Sequence, residues 1–237
     1  MYWQWTSRQG NNRQSNNDAV AIVSGKSFFF ALLADTAEKG SKGAEFARYW
    51  AQTIAHFVLE ASEFPSTVQL IDYMRDAQKQ LRTQYLQEIA SYIILIYDKN
   101  TGNGWVLHCG DCRLGIMQSD GITWITNVHT LANANGDFFK LHHYNDPSRH
   151  ILTRCLKARR FIEPDIQKIN FLEGTRWLLC TDGYWAEYIG EKKVWEQLSD
   201  DASCLEISCQ LIQSHLNSDS KNCFNYSLVG LYAKTAT

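Results

Sequence analysis

The sequence lacks the features that direct a protein to a membrane or to a nucleic acid. Its 237 residues carry a formal net charge of -2, and no block of lysine and arginine forms an evident nucleic-acid surface. Its longest apolar run, at positions 28–34, is far shorter than a bilayer span. The first residues have neither the basic flank nor the long apolar stretch of a signal peptide. We therefore expect a cytoplasmic protein that binds neither membranes nor nucleic acids.

Motifs of several common protein classes are also absent. The chain contains no G-x-S-x-G nucleophile elbow and no glycine-rich phosphate loop, which argues against an α/β serine hydrolase and a P-loop nucleotide-binding protein. No repeat, low-complexity linker or break in composition divides the chain, so a single domain over residues 1–237 is the simplest organisation. The seven cysteines are an odd number, and we interpret them as reduced core residues.

The spacing of apolar residues predicts a layered α+β protein. Residues 28–34 are apolar throughout, which is typical of a buried strand. Positions 44–58 repeat apolar residues at helical intervals, and a second helix is predicted to begin at Pro65 and Ser66. Further predictions are short strands between 92 and 125, a surface flap at 133–147, helices at 194–198 and 204–216, and a closing strand at 226–232. Two consecutive helices between strands favour an α+β fold over alternating βαβ units.

Three aspartates directly follow predicted strands. Asp35 comes after the apolar run, Asp111 after residues 106–110, and Asp182 after residues 177–181. Carboxylates at rigid strand ends can converge on a hard cation. Each aspartate taken alone is explained more simply as a turn residue, because aspartate is common in turns.

Several segments, in chain order, resemble the motifs of one enzyme family. The residues that carry the resemblance are R-x-x-N-x-D at 13–18, Ala-Asp at 34–35 with a glycine at 43, G-D-x-R at 110–113, I-T-x-x-H at 125–129, L-T-R at 152–154 and L-L-C-T-D-G at 178–183. The set spans nearly the whole chain. It resembles the metal-dependent protein phosphatase 2C family, also called PPM, in a divergent bacterial form.

The resemblance implies both a fold and a metal centre. The implied fold is a four-layer α-β-β-α sandwich of two antiparallel sheets flanked by helices. The implied cofactor is a pair of Mn²⁺ or Mg²⁺ ions, with Asp35 bridging them, Asp182 binding one of them and Thr36 offering its backbone carbonyl. Asp111 matches an aspartate that helps to hold a third, weaker metal in some members.

The same resemblance assigns roles around the metals. Asp18 and Asn17 would hold water next to the ions, and Arg13 would bind the substrate phosphate. A guanidinium suits this task because its forked donors match two phosphate oxygens. Outside the motif set, Arg13 would be read as a surface arginine in a polar loop.

The sequence departs from the family pattern at three places. Thr36 stands where the family has glycine, and positions 37–40 lack the family's histidine, so no matching general acid is offered there; Glu38 and Lys39 are expected to be solvated. Phe224 stands where the closing motif should place a third carboxylate, and a phenyl ring cannot bind a hard cation. Asn225 could supply only an uncharged oxygen. We therefore expect an incomplete site with one ion or two weakly held ions.

Two functions follow from this combination. The first is a Ser/Thr phosphoprotein phosphatase, which hydrolyses phosphomonoesters with metal-activated water and acts in signalling as a monomer. The alternative is a catalytically impaired pseudophosphatase, which binds a phosphoprotein or a signalling partner. The retained site residues favour the enzyme, whereas Phe224 and the altered loop after Asp35 favour the binding module.

Overall fold

The computed structural model describes residues 1–37, 39–61, 64–171 and 174–227. Two β-sheets dominate the fold. The six-stranded sheet has the order β12-β1-β11-β10-β6-β7, and the seven-stranded sheet has the order β13-β2-β3-β4-β5-β9, with the short β8 pairing β4. The strands are β1 Tyr2–Arg8, β2 Asp18–Ser24, β3 Phe28–Ala37, β4 Ile89–Asp98, β5 Asn103–Cys109, β6 Arg113–Gln118, β7 Gly121–Trp124, β8 Leu156–Lys157, β9 Asp165–Asn170, β10 Arg176–Cys180, β11 Ala202–Ser208, β12 His215–Ser218 and β13 Cys223–Ser227.

The two sheets pack face to face around an apolar core. In β3, Phe29, Ala31 and Leu33 point into this core between the sheets. The alternate residues, including Phe30 and Leu32, point to the opposite face, where helices cover the sheet. Because both faces of β3 are buried over residues 28–34, that part of its sequence is apolar at every position rather than at every second one.

Two α-helices cover the outer face of the seven-stranded sheet. Helix α1, Gly43–Glu60, buries one stripe of side chains that includes Phe46, Trp50 and Ile54. Helix α2, Thr67–Gln80, begins at Ser66, whose side chain accepts a hydrogen bond from the backbone N–H of Gln69 while the Gln69 side chain bonds back. The predicted pair of helices is thereby confirmed.

The outer face of the six-stranded sheet has a thinner cover. It packs against a π-helical segment, Gly183–Gly190, and against flap residues that include Phe139 and Tyr144. The predicted four-layer α+β architecture is confirmed, with this last layer reduced. Both sheets are mixed rather than entirely antiparallel, because β12 runs parallel to β1 and β13 runs parallel to β2.

The C-terminal third differs from the sequence prediction. Residues 204–216, predicted as a helix, instead contribute to strands β11 and β12, and the helix predicted at 194–198 is reduced to a 3₁₀ turn, Trp195–Gln197. Strand β11 lies between β1 and β10 and is buried on both faces, so it lacks the alternation that reveals a strand. The predicted closing strand at 226–232 lies mostly outside the described residues.

The cysteines agree with the expectation of reduced core residues in most positions. All seven are free thiols, and five of them are buried. Cys109 and Cys112 have C-x-x-C spacing but pack into different core clusters, on opposite faces of the sheet. Among the residues that the structure describes, no helix combines the length and apolar character needed to cross a bilayer.

Candidate functional site

A cleft is lined by residues from both sheets. In the seven-stranded sheet, Asp35 pairs with Asp18 of β2 on one side and with Ser91 of β4 on the other, so the three residues form a row across neighbouring strands. In the six-stranded sheet, Asp182 follows β10 and Asp200 precedes the adjacent β11. Strand pairing thus brings together carboxylates that are far apart in sequence.

Carboxylates dominate the lining of this cleft. The four that line it belong to Asp35, Asp111, Asp182 and Asp200. The other polar side chains of the lining belong to Arg13, Lys39, Ser91 and His150. This composition concentrates negative charge in one small space.

Asp111 is held in place by Ser91. The Ser91 hydroxyl lies 2.6 Å from Asp111 Oδ1, and it accepts a hydrogen bond of 3.1 Å from the Asp111 N–H. Gly110 makes this approach possible, because its φ is +106° and an added Cβ would lie only 2.1 Å from Ser91 Oγ. The strand-end aspartate is therefore oriented by a close contact between β4 and the turn after β5.

The electrostatic environment opposes ionisation of the aspartates. Loss of water contacts raises the pKa of Asp35 well above its usual range, and the neighbouring Asp18, Asp182 and Asp111 raise it further. Burial, followed by the charge of Asp200, does the same to the pKa of Asp182. Such mutual repulsion is relieved when a cation binds among the carboxylates.

Two arginines supply part of the compensating charge. The Arg13 guanidinium contacts Asp200 Oδ1 at 2.6 Å. Arg149 is buried, lies 3.7 Å from Asp182 Oδ2, and donates a hydrogen bond of 2.9 Å to Glu191 Oε1. The carboxylates of Asp35 and Asp111 have no ion pair with an arginine or a lysine within the described part of the chain.

The donor set fits a hard divalent cation. Asp18 is fully buried, and although its Oδ2 accepts a hydrogen bond of 3.1 Å from Thr181, its Oδ1 has no partner among the described residues. Oxygen ligands, several of them charged, are those that Mg²⁺ and Mn²⁺ prefer. Asp35, Asp182 and Asp200 could hold such ions, with Asp18 beneath them.

The turn at Asp200 and Asp201 also supports the loop that carries Arg13. Asp201 accepts hydrogen bonds from the backbone N–H groups of Gly10, at 2.9 Å, and Asn17, at 2.8 Å. An added Cβ on Gly10 would lie 2.3 Å from the Asp200 carbonyl carbon, so only glycine allows this packing. Burial raises the pKa of Asp201 to about 6, although both hydrogen bonds oppose the shift.

Comparison with solved structures identifies the fold of the chain. No family model and no curated protein matches the chain. Among solved structures, the PPM Ser/Thr phosphatase MsPP from Mycobacterium smegmatis, crystallised with cacodylate, has a TM-score of 0.71 at 19% identity, over 88% of this chain and 98% of that chain. Stp1 from Staphylococcus aureus has a TM-score of 0.70 at 17% identity, covering 88% and 95%. The catalytic domain of PstP, in complex with two manganese ions, has 0.64 at 18%, covering 86% and 96%. The fold is that of the PPM Ser/Thr phosphatases.

Within this PPM fold, most of the sequence-predicted site residues come together. Arg13, Asp35, Asp111 and Asp182 all line the cleft. Thr36 is buried next to Asp35, and its N–H donates a hydrogen bond of 3.2 Å to the Asn17 carbonyl. Asp18 lies beneath, beside Asp35. The backbone of Asn17 is therefore hydrogen-bonded to the residue that follows Asp35.

Phe224 and Asn225 differ from the expectation. The structure places them in the edge strand β13, opposite Ala21 and Ile22 of β2, and Phe224 packs against the helix-covered core. Neither residue lines the cleft. Asp200, which the sequence analysis did not single out, adds a fourth carboxylate to the cleft.

The sequence analysis did not identify Asp200 because it did not identify strand β11, which follows this residue. Asp200, Asp201, Ala202 and Ser203 resemble the family's closing Asp-Asn-x-Thr/Ser motif, with aspartate in place of asparagine, and β11 follows directly. The available signal was a carboxylate pair in front of a short apolar segment. No sequence pattern marked Ser91, Lys39 or His150 as site residues, and only the fold places them in the cleft. Glu38 lies outside the described residues.

A second group of side chains that could bind a metal lies close to Gly110. His108, His129 and Asp165 offer ligand atoms within 4.8 Å of one another. However, His129 Nδ1 accepts a hydrogen bond from the Gly110 N–H, which leaves the proton on Nε2, and the Arg154 guanidinium lies 3.2 Å from that nitrogen. Arg154 also pairs with Asp165. A cationic side chain thus already occupies the space that a metal would need.

Proposed function

We propose that this chain is a metal-dependent phosphoprotein phosphatase of the PPM family that hydrolyses phosphoserine and phosphothreonine. The observation that carries the proposal is the convergence of Asp35, Asp111, Asp182 and Asp200 on one cleft. PstP, which shares the fold, has been crystallised with two manganese ions. The carboxylate cluster and the shared fold together favour hydrolysis over any chemistry that needs a protein nucleophile.

The proposed cofactor is Mn²⁺ or Mg²⁺ at two sites. Asp35, Asp182 and Asp200 would hold the ions, the Thr36 carbonyl would contribute beside Asp35, and Asp111 would belong to a weaker additional site. When bound, such cations neutralise the phosphate and lower the pKa of water. Asp200 replaces the ligand whose apparent loss at Phe224 predicted an incomplete site.

The protein's own groups would bind and orient the substrate. Arg13 lies on the cleft wall, and its guanidinium would bind two phosphate oxygens in exchange for its contact with Asp200. Asp201 fixes the loop on which Arg13 is carried. Asp18 and Asn17 would hold water next to the ions.

The proposal extends to the whole protein. Residues 1–237 would act as one domain, as a monomer in the cytoplasm, with a phosphorylated signalling protein as substrate. Free thiols at all seven cysteines suit a reducing compartment. Light scattering on the purified protein tests the monomer, and a dimeric mass would contradict it.

One observation favours the alternative of a non-catalytic binding module. Arg13 and Arg149 already contact Asp200 and Asp182, so protein cations supply part of the charge that metal ions would provide. A pseudophosphatase would keep this arrangement and use the cleft to recognise a phosphorylated partner.

Hydrolysis separates the two functions. With millimolar Mn²⁺, we expect the wild-type chain to turn over a phosphothreonine peptide and p-nitrophenyl phosphate. The Asp35→Asn variant should lose about 100-fold or more, since even residues that merely support metal ligands are worth 10- to 100-fold. If the wild type is no faster than Asp35→Asn but still binds the phosphopeptide, the binding module is correct.

Metal titration tests the assignment of Asp200 independently of turnover. Calorimetry should give at least about tenfold weaker Mn²⁺ binding for Asp200→Asn than for the wild type, because the ligand charge falls. The exposed turn residue Asp120 supplies the control, and Asp120→Asn should bind Mn²⁺ like the wild type. Equal affinities for both variants would remove Asp200 from the site.

A further inference from the structure

The proposed reaction has so far given no role to His150, which lines the cleft. Hydrolysis of a phosphoserine or phosphothreonine releases an alkoxide, which needs a proton as it leaves. The family's histidine is absent from positions 37–40. Among the described lining residues, His150 is the only histidine.

The other groups of the cleft are poorly suited to this task. A guanidinium such as that of Arg13 keeps its proton, and a lysine ammonium such as that of Lys39 is a far weaker acid than an imidazolium. Carboxylates that hold cations carry no proton. Ser91 is engaged in two hydrogen bonds with Asp111.

The backbone on both sides of His150 is well anchored. His150 ends a 3₁₀ turn, Pro147–His150, which begins at Asp146, whose side chain accepts a hydrogen bond of 2.9 Å from the Ser148 N–H. The next residue, Ile151, accepts a hydrogen bond of 2.8 Å from the Leu131 N–H. On the preceding side, Arg149 is buried and paired with Glu191. The backbone at His150 is therefore fixed, and its exposed imidazole lines the cleft.

The charges around His150 shift its pKa in opposite directions. Burial and the neighbouring Arg149 lower the pKa of His150, whereas Asp200, Glu187 and Glu191 act to raise it. A phosphate dianion in the cleft would add to the second group. A bound phosphate dianion therefore favours the protonated imidazole.

We propose that His150 is the general acid that protonates the leaving oxygen of the substrate, an inference that rests on the proposed phosphatase function. As the ester P–O bond breaks, the imidazolium N–H transfers its proton to the departing oxygen, which leaves as the serine or threonine hydroxyl. The oxygen of a water molecule forms the new P–O bond; one of its two protons goes to solvent and the other stays on the phosphate. Solvent then returns a proton to the neutral imidazole, so the cycle is balanced.

Two substrates with different leaving groups test the role. p-Nitrophenolate departs without a proton, whereas a threonine alkoxide does not. The His150→Gln variant should lose about 100-fold or more in kcat on a phosphothreonine peptide, and it should keep kcat on p-nitrophenyl phosphate within about twofold. His142→Gln, at an exposed histidine of the nearby flap, is the matched control and should leave both rates unchanged.

The outcomes separate this inference from the function on which it rests. If the wild type hydrolyses neither substrate, the phosphatase proposal itself fails. If the wild type hydrolyses both and His150→Gln loses equally on both, or on neither, His150 is not the general acid. A second readout is the imidazole NMR signal of His150, assigned by its loss in His150→Gln. It should shift when inorganic phosphate is added with Mg²⁺, and an unmoved signal would overturn the role.

Discussion

At the scale of single residues, His108 is a histidine that the folded protein keeps neutral. It is buried, its ring stacks on His129 at 4.9 Å, and its Nδ1 has no hydrogen-bond partner among the described residues. Burial, and then the charge of His129, lowers the pKa of His108 to about 4. In the unfolded chain the same group titrates near 6.5.

This difference makes stability depend on pH. Because the pKa of His108 is lower in the folded state, its contribution is fully present above about pH 6.5 and is lost as the pH falls toward 4. The loss is on the order of 3 kcal/mol. In His108→Phe, which keeps an aromatic ring against His129, this part of the acid sensitivity should disappear.

Urea unfolding at pH 7 and at pH 4.5 measures the effect. The difference in unfolding free energy between His108→Phe and the wild type should shift by about 2 kcal/mol in favour of the variant at the lower pH. His215→Phe, at an exposed histidine of β12, should give a curve parallel to that of the wild type. Parallel curves for His108→Phe would mean that this histidine is protonated in the folded state.

Residue by residue, the sequence predicted the parts of the site that strand ends create. Asp35, Asp111 and Asp182 come directly after short apolar segments of the sequence, so their position is visible in the chain itself. No sequence pattern marked His150, because its position depends on how the segment after the flap folds back onto the cleft. Asp200 precedes its strand, and that strand was interpreted as a helix.

At the scale of elements, the buried side chain of Phe139 helps to hold the flap against the six-stranded sheet. Phe139 contacts the Trp185 ring edge-on at 5.0 Å, and the Arg113 guanidinium lies 5.9 Å from the Phe139 ring centre. Its neighbour Phe138 is 58% exposed, whereas Phe139 is 8% exposed. The polar sequence of the flap, residues 133–147, predicted a surface segment and gave no indication of this anchor.

The two adjacent phenylalanines form a matched pair for mutation. Phe139→Ala should lower the free energy of unfolding by about 3 kcal/mol, because it removes a buried ring. Phe138→Ala should change it by less than about 0.5 kcal/mol, because that ring is mostly in water. Urea denaturation of both variants checks the contrast, and equal effects would show that the flap is not fastened through Phe139.

Elements were predictable where one face meets solvent or where helical spacing is regular. Helix α1 shows its buried stripe in the sequence, and the apolar run of β3 is too short to be anything but a strand. Strand β11 offered neither signal. Its apolar residues at 202, 204, 205 and 207 lie on both faces and imitate helical spacing.

At the scale of the whole molecule, the carboxylate cluster opposes folding unless a cation binds. The pKa values of Asp18, Asp35, Asp111 and Asp182 are all raised, with burial as the largest cause. Because these groups bind protons more tightly in the folded state, the metal-free protein loses stability as the pH rises above about 4. Divalent cations would offset this loss, and more so where the carboxylates are ionised.

Thermal unfolding with and without Mg²⁺ tests this linkage. At a concentration about 100 times the dissociation constant, binding adds about 2.7 kcal/mol, which corresponds to a rise in Tm of roughly 5–10 °C for a chain of this size. The rise should be larger at pH 8 than at pH 5, and it should shrink in Asp35→Asn. A rise of the same size at both pH values would argue that Mg²⁺ binds elsewhere.

The strand order of the six-stranded sheet also affects how the chain can fold during its synthesis. Within the described residues, strand β1 pairs with β11 and β12, about 200 residues later in the chain. At about 5–20 residues per second on the ribosome, β1 emerges and then waits on the order of 10–40 s for a partner. During that time Trp3 and Trp5, which the finished core encloses, are available to any chaperone or neighbouring chain. The tryptophans of β1 are therefore most accessible to other molecules while the chain is being synthesised.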